Sequence, residues 1–235
     1  MKTIGLLGGM SWESTQTYYR LLNEAVREQL GGLHSARILL YSVDFADIEV
    51  LQQRGDWNQA AKILSEAARS LETAGADCIL VCTNTMHKVA PDIARSIQVP
   101  LLHIMDGVGE AVLADGLDCV GLLGTRFTME QRFCIDRLEQ KGIRVLVPEA
   151  EERARVHQVI FDELCLGVTS ESAKADYLAI INNLRQKGAQ AIILGCTEIG
   201  LLITPPDTPV KIYDTTEKHV NLAVSFALAP TPDQN

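Results

Sequence analysis

Short apolar runs alternate along this chain with longer stretches whose apolar residues recur every three or four positions. The runs are TIGLL (3–7), RILLYSV (37–43), CILVC (78–82), LLHI (101–104), CVGLL (119–123), RVLV (144–147), AIIL (191–194) and VKIY (210–213). Each is continuous in hydrophobicity rather than alternating, the pattern of strands buried on both faces. Between them the clearest helix covers about 58–74, where Ala60, Ile63, Leu64, Ala67 and Leu71 share one face. Thr128 with Gln131 reads as a capping box opening a helix over about 129–140. Strand, helix, strand, repeated, predicts a parallel α/β fold. The polar tail APTPDQN (229–235) is expected to be disordered.

The chain also resembles itself. GADCILVCTN from Gly75 matches GAQAIILGCT from Gly188, 113 positions later, and IGLLGGM from Ile4 matches VGLLGTR from Val120, 116 positions later. All buried strands share Val, Ile, Leu and Gly, so one match alone would carry little. Two matches in the same order at nearly equal spacing predict two similar lobes, each a small parallel sheet flanked by helices and related by pseudo-two-fold symmetry. At the 113-residue offset Cys196 falls opposite Thr83, while Cys82 falls opposite Gly195. Successive side chains of a strand point to opposite faces. If Cys196 faces a cleft, the residue that faces it from the first lobe is Thr83, and Cys82 points into its own lobe's packing.

Composition narrows the chemistry. The 235 residues carry a formal charge of −9, with Lys and Arg spread thinly, which disfavours a phosphate backbone as partner. No apolar run is long enough to span a bilayer, and the N-terminal run lacks the length of a signal peptide's core. These features point to a cytoplasmic protein with neither nucleic acid nor membrane as partner. The six cysteines (78, 82, 119, 134, 165 and 196) form no C-x-x-C pair and no zinc spacing, so no metal is expected and most should pack as small hydrophobes. GLLGGM follows a strand but is not G-x-G-x-x-G, which argues against a dinucleotide loop.

In open α/β sheets ligands sit beyond the carboxyl ends of the strands. The turns GGMS (8–11) and GTRFT (124–128) end there, with the hydroxyls of Ser11, Thr85, Thr125, Thr128 and Thr197 close in sequence to helix starts. Such backbone N–H groups and hydroxyls suit a carboxylate. A proton-transfer group on each side of a small anion suits inversion at a carbon.

The stretches GLLGGMSWEST, CTNTMH, GLLGT and GCTEIGLL resemble, in content and order, motifs of the aspartate/glutamate racemase family, which works without a pyridoxal cofactor. The resemblance runs from residue 2 to about 228 and is closest to the aspartate/glutamate-specific amino-acid racemases. It implies two α/β lobes with the active site between them, no cofactor, an acidic amino acid as substrate, and usually a homodimer. The lobes are expected over 1–104 plus 209–235 and over 105–208. The family's first C-N-T maps onto Thr83-Asn84-Thr85, and its G-C-T-E onto Gly195-Cys196-Thr197-Glu198. The first catalytic cysteine is therefore threonine here.

On this reading Cys196 is a proton carrier, its thiol tuned down from ~8.5 by a helix N-terminus. Thr83 serves the opposite face, by donating a proton or holding a water, with a purely structural threonine as the alternative. Asn84, Thr85, Thr125 and Thr197 are candidates for the α-carboxylate and amine, and Ser11 and Met10 for the pocket wall. Turn hydrogen bonding is the alternative for the polar ones, and filling for Met10. Glu198 and His87 are candidates for tuning the catalytic groups, or helix caps. His34, His103, His157 and His219 read as structural. The segment 44–57, polar and aperiodic at its end, is expected to close over the cleft, bringing Gln52 and Arg54 to the side-chain carboxylate; a solvated loop is the alternative. Many family members use a lysine in the second lobe for acidic substrates, and LCLGVT (164–169) has none. Turnover is expected to be faster from L to D. A single thiol also fits decarboxylation of a malonate-type acid, or an amino-acid-binding protein without catalysis.

Overall fold

The computed structural model describes residues 1–230, so the expectation for the tail falls, over 231–235, outside the described residues. The chain divides into two compact units. The first takes in Met1–Ile104 and the C-terminal segment from His219; the second is Met105–Lys218.

The first unit contains β1 (Ile4–Gly8), α1 (Trp12–Leu30), β2 (Ile38–Ser42), α2 (Phe45–Arg54), α3 (Trp57–Thr73), β3 (Cys78–Val81), α4 (Ala90–Arg95) and β4 (Leu101–Leu102). Its sheet is parallel in the order β2-β1-β3-β4. Two apolar layers cover it. Ile4, Leu6, Leu80 and Cys82 pack with Tyr18, Leu22 and Val26 of α1 and with Val220 and Val224 from the chain's last helix. Leu7, Ile79 and Val81 pack with Ala60, Leu64 and Leu71 of α3. Each fully buried Leu, Ile or Val contributes roughly 1.5–3 kcal/mol. β2 departs from the expectation of strands buried on both faces: its Leu40, Tyr41 and Ser42 are exposed because it is an edge strand. The segment 44–57 is likewise not a loop. Asp44 accepts a hydrogen bond from Ala46 N to start α2, and Gly55 at φ 70° ends it.

The second unit continues with α5 (Ile104–Ala114), whose first residue still belongs to the first unit. Then follow β5 (Cys119–Gly124), α6 (Arg126–Glu130), α7 (Arg132–Glu139), β6 (Arg144–Leu146), α8 (Ala150–Asp162), α9 (Glu171–Gln186), β7 (Ala191–Gly195) and β8 (Lys211–Asp214). Its sheet is also parallel, in the order β6-β5-β7-β8. The chain returns to the first unit at 219 within α10 (Thr215–Leu228), not at 209, because β8 hydrogen-bonds to β7 and completes the second sheet. The helix expected over 129–140 is two helices broken at Gln131, whose extended backbone (φ −95°, ψ 143°) starts α7. Thr128 caps nothing there: it is buried, with its hydroxyl 3.3 Å from that of Thr125.

The internal repeat extends through the strand register. Ile4 pairs with Cys78 in one sheet and Val120 with Ala191 in the other, so both offsets, 116 and 113, hold at one rung. One rung on, Gly5 faces Ile79 and Gly121 faces Ile192. A Cβ on either glycine would come within 2.8 Å or 2.7 Å of that isoleucine's Cδ1. The same glycine–isoleucine fit thus recurs in both sheets.

Candidate active site

In a 2-1-3-4 sheet the chain leaves the two central strands toward opposite sides, which opens a crevice at their carboxyl ends. In the first unit β1 and β3 end there, carrying Gly8–Ser11 and Cys82–Thr85. Cys82 is fully buried among Tyr18, Leu22 and Leu80, and burial pushes its thiol far up. Thr83, the next residue, is half-buried in the bend that follows β3. Asn84 and Thr85 are buried at the start of a 3-10 turn, Thr85–Val89.

His87 is fully buried and its role follows from its partners. Ile104 N–H donates to Nε2 at 3.1 Å, so Nε2 is an acceptor, and Nδ1–H donates to the Thr83 carbonyl at 2.8 Å. This neutral tautomer fixes the backbone beside Thr83 and joins it to the start of α5. His87 is therefore a backbone brace rather than a helix cap. Its ring meets His103 edge-on at 4.5 Å and His219 at 5.6 Å between centroids. His219 in turn donates from Nε2 to the Leu102 carbonyl and accepts from the Tyr18 hydroxyl at Nδ1, both at 2.8 Å. Sequence reasoning missed this histidine cluster. Its three histidines come from the 3-10 turn after β3, the connection between β4 and α5, and α10, and nothing in their spacing signals that they meet.

The remaining first-unit candidates are placed as follows. Met10 is buried in the core with Ile48 and Met86. Ser11 is half-buried and its hydroxyl accepts from Ser14 N at 3.2 Å, capping α1. Gln52 Nε2 donates to Met86 Sδ at 3.0 Å, which ties α2 to the CTNTMH turn, while Arg54 is exposed at the end of α2.

In the second unit β5 and β7 end side by side on Gly124 and Gly195. A Cβ on Gly124 would come 2.9 Å from the Gly195 carbonyl, and one on Gly195 would come 2.9 Å from the Leu123 carbonyl. This backbone-to-backbone fit fixes the start of the next residue, Cys196, which is extended and half-buried. Its Sγ–H donates to Glu198 Oε2 at 2.9 Å. Burial raises the thiol, and the Glu198 carboxylate, by its charge and its hydrogen bond, holds it well above the usual thiol range. The expected net lowering by a helix N-terminus is thus overturned: the helix here is one 3-10 turn, Thr197–Leu201, and burial and the carboxylate outweigh the lowering by the Glu198 backbone N–H.

Thr197 is half-buried beside the thiol, and Thr125 is buried at the start of α6. Tyr177 lies beneath, close enough to feel the charge of Cys196, with its hydroxyl donating to the Val156 carbonyl at 3.0 Å. Cys165 is exposed in the LCLGVT stretch, where the nearby Arg155 is held by Asp176 at 2.7 Å. Among the described residues no group of His, Cys, Asp and Glu is arranged to hold a metal ion, and no helix is long and apolar enough to cross a membrane.

Comparison with known proteins places this geometry in context. The family model for Asp/Glu/Hydantoin racemases matches residues 7–223. A candidate Asp/Glu racemase from Yersinia pestis, known from a crystal structure, is 53% identical and superposes with a TM-score of 0.94, covering 97% of this chain and 100% of that one. An aspartate racemase homologue from Pyrococcus horikoshii is 37% identical with a TM-score of 0.87 over the same shares. The broad specificity amino-acid racemase RacX of Bacillus subtilis is 23% identical over 232 residues, 96% of this chain and 98% of RacX.

Proposed function

We propose that this chain, which belongs to the Asp/Glu/Hydantoin racemase family and is an amino-acid racemase, an isomerase, inverts the α-carbon of glutamate or aspartate without a pyridoxal cofactor. One observation carries the reading beyond the family. When the matching registers of the two sheets are continued past their last paired residues, Thr83 answers to Cys196, and each is half-buried beyond a central strand. Cys196 removes the α-proton of the L enantiomer. Thr83 serves the other face, through its hydroxyl or a water it holds. Asn84, Thr85, Thr125, Thr197 and Ser11 bind the α-carboxylate and amine, with Met10 behind them. Gln52 and Arg54 take the side-chain carboxylate. The working form is a cytoplasmic homodimer.

A thiolate is a competent base and a hydroxyl is a poor one. Turnover is therefore faster from L to D than from D to L. The equilibrium constant of a racemisation is one, so kcat/KM is equal in the two directions and the slow D direction has the lower KM. The test is incubation of a panel of L-amino acids in D2O with chiral chromatography and mass detection. Inversion with deuterium incorporation is expected for glutamate or aspartate. Release of carbon dioxide from a malonate, or no inversion of any amino acid, would overturn the reading.

A further inference from the structure

We propose that Ser14 and His87 clamp the two peptide planes that flank Thr83, and that this clamp decides whether proton removal from the substrate ends in inversion, an inference that rests on the racemase reading above. β3 ends at Val81, two residues before Thr83, whereas β7 runs to Gly195, directly before Cys196. The last rung of the β1–β3 ladder is the bond from Cys82 N–H to the Leu7 carbonyl at 3.0 Å, and Thr83 lies past it in a bend. Side chains take over from there. The Ser14 hydroxyl, on α1, donates to the Cys82 carbonyl at 2.9 Å and holds the plane before Thr83. His87 Nδ1–H donates to the Thr83 carbonyl at 2.8 Å and holds the plane after it. Each peptide is planar, so holding the planes on both sides of one Cα sets that residue's φ and ψ, and with them the direction of its Cα–Cβ bond. Both holders are themselves fixed. Ser14 is buried on the first turn of α1, and His87 is fully buried with Ile104 N–H donating to Nε2 at 3.1 Å, which keeps the proton on Nδ1.

The chemistry makes the direction of Thr83 decisive. The ionised Cys196 sulfur takes the α-proton of the L enantiomer, and the electron pair of the broken C–H bond stays on Cα. Two returns are then open. A proton from the Thr83 side to the opposite face gives the D enantiomer; the Thr83 side regains one from solvent and the thiol releases one. A proton from sulfur to the same face restores L, carrying solvent hydrogen where the thiol has exchanged in between. Only the first route needs Thr83, and a donor misplaced by ~1 Å can lose a hundredfold in rate. Ser14 and His87 touch no reacting atom and are positioning residues. The positions that answer to them at offsets of 116 and 113 are Glu130 and Gly200. An ionised carboxylate donates no hydrogen bond and glycine has no side chain, so the clamp belongs to the first unit alone.

The test reads a partition rather than a rate. With L-glutamate and L-aspartate in D2O, chiral chromatography with mass detection counts two products: the D enantiomer, and L enantiomer that has gained deuterium at Cα. In His87→Phe, which fills the place of the ring without its hydrogen bonds, the ratio of inversion to retained exchange is expected to fall at least about tenfold. Ser14→Ala is expected to shift the ratio the same way, and it serves if the phenylalanine variant melts early. His87→Asn, whose amide nitrogen can stand where Nδ1–H does, is expected to recover part of the ratio. A merely structural histidine would lower both products together. A ratio unchanged in both His87→Phe and Ser14→Ala, or two products that fall in parallel, would overturn the proposal. A second readout needs no substrate: amide deuteration of the segment 82–89, followed by mass spectrometry, is expected to quicken in both variants. A wild type that neither exchanges nor inverts any amino acid, but whose segment 82–89 responds in this way, would sink the functional reading alone. A segment that does not respond would overturn the clamp.

Discussion

At the scale of single residues, two cysteines are expected to divide chemistry from packing. Cys196→Ser is expected to abolish racemisation while leaving the melting temperature near that of the wild type, because the swap keeps the size and removes only the acidic thiol. Near-normal rates in the purified variant would refute the role. Cys82→Ala should do the reverse: its side chain is sealed among Tyr18, Leu22 and Leu80, so the cavity costs on the order of 1 kcal/mol with kcat little changed. Loss of turnover at an unchanged melting temperature would instead make Cys82 the first-unit proton carrier. Thr83→Cys is expected to raise D-to-L turnover by giving that face a real base. Initial rates in both directions, with and without the substitution, decide it, and equal kcat values in the wild type would count against Thr83.

Among elements, the glycines of the central strands carry more than their size suggests. Gly5→Ala would place a Cβ 2.9 Å from Ala76 Cβ and 3.0 Å from the Cys78 carbonyl, neither of which can swing aside. A loss of about 1–3 kcal/mol is expected in urea unfolding, and an unchanged midpoint would show that the strands adjust. All eight strands of the described residues were legible in the sequence, because each lies on a continuous apolar run. The runs could not report which strands are edges, so the exposure of Leu40 and Tyr41 came as a departure. Nor could they show α2, whose single buried residue, Ile48, leaves almost no apolar stripe; the signal was in its ends, Asp44 and Gly55. Of the site, the order of the motifs and the phase of Thr83 against Cys196 could be read directly. The carboxylate on the thiol and the bracing of the Thr83 backbone by His87 could not, because both depend on side-chain direction past a strand end.

For the whole molecule, acid should act strongly through the second unit. Asp106 is half-buried, which by itself raises its carboxyl; the two hydrogen bonds and charge of Arg137, at 2.9 Å and 2.7 Å, and the Lys141 ammonium at 3.3 Å outweigh this and hold it below the usual carboxylate range. A folded pKa below the unfolded one gives stability that is present above the unfolded value, ~3.9, and is lost as pH falls through the folded value. The wild type should therefore melt higher than Asp106→Asn at pH 7, with the gap closing in acid. A gap that stays constant from pH 7 to pH 3 would assign the effect to packing.

The glycine–isoleucine fit has a consequence for what this enzyme has at hand. Along β3, Cys78, Leu80 and Cys82 face one apolar layer while Ile79 and Val81 face another, so hydrophobicity alone would accept the strand inside out. Slipped by one residue, the strand would present Cys82 where Thr83 now stands. Gly5, seated against Ile79, favours the register that keeps Cys82 inside. The Cys82 thiol is held one peptide unit short of that place, and the glycine that favours this lies toward the other end of the strand.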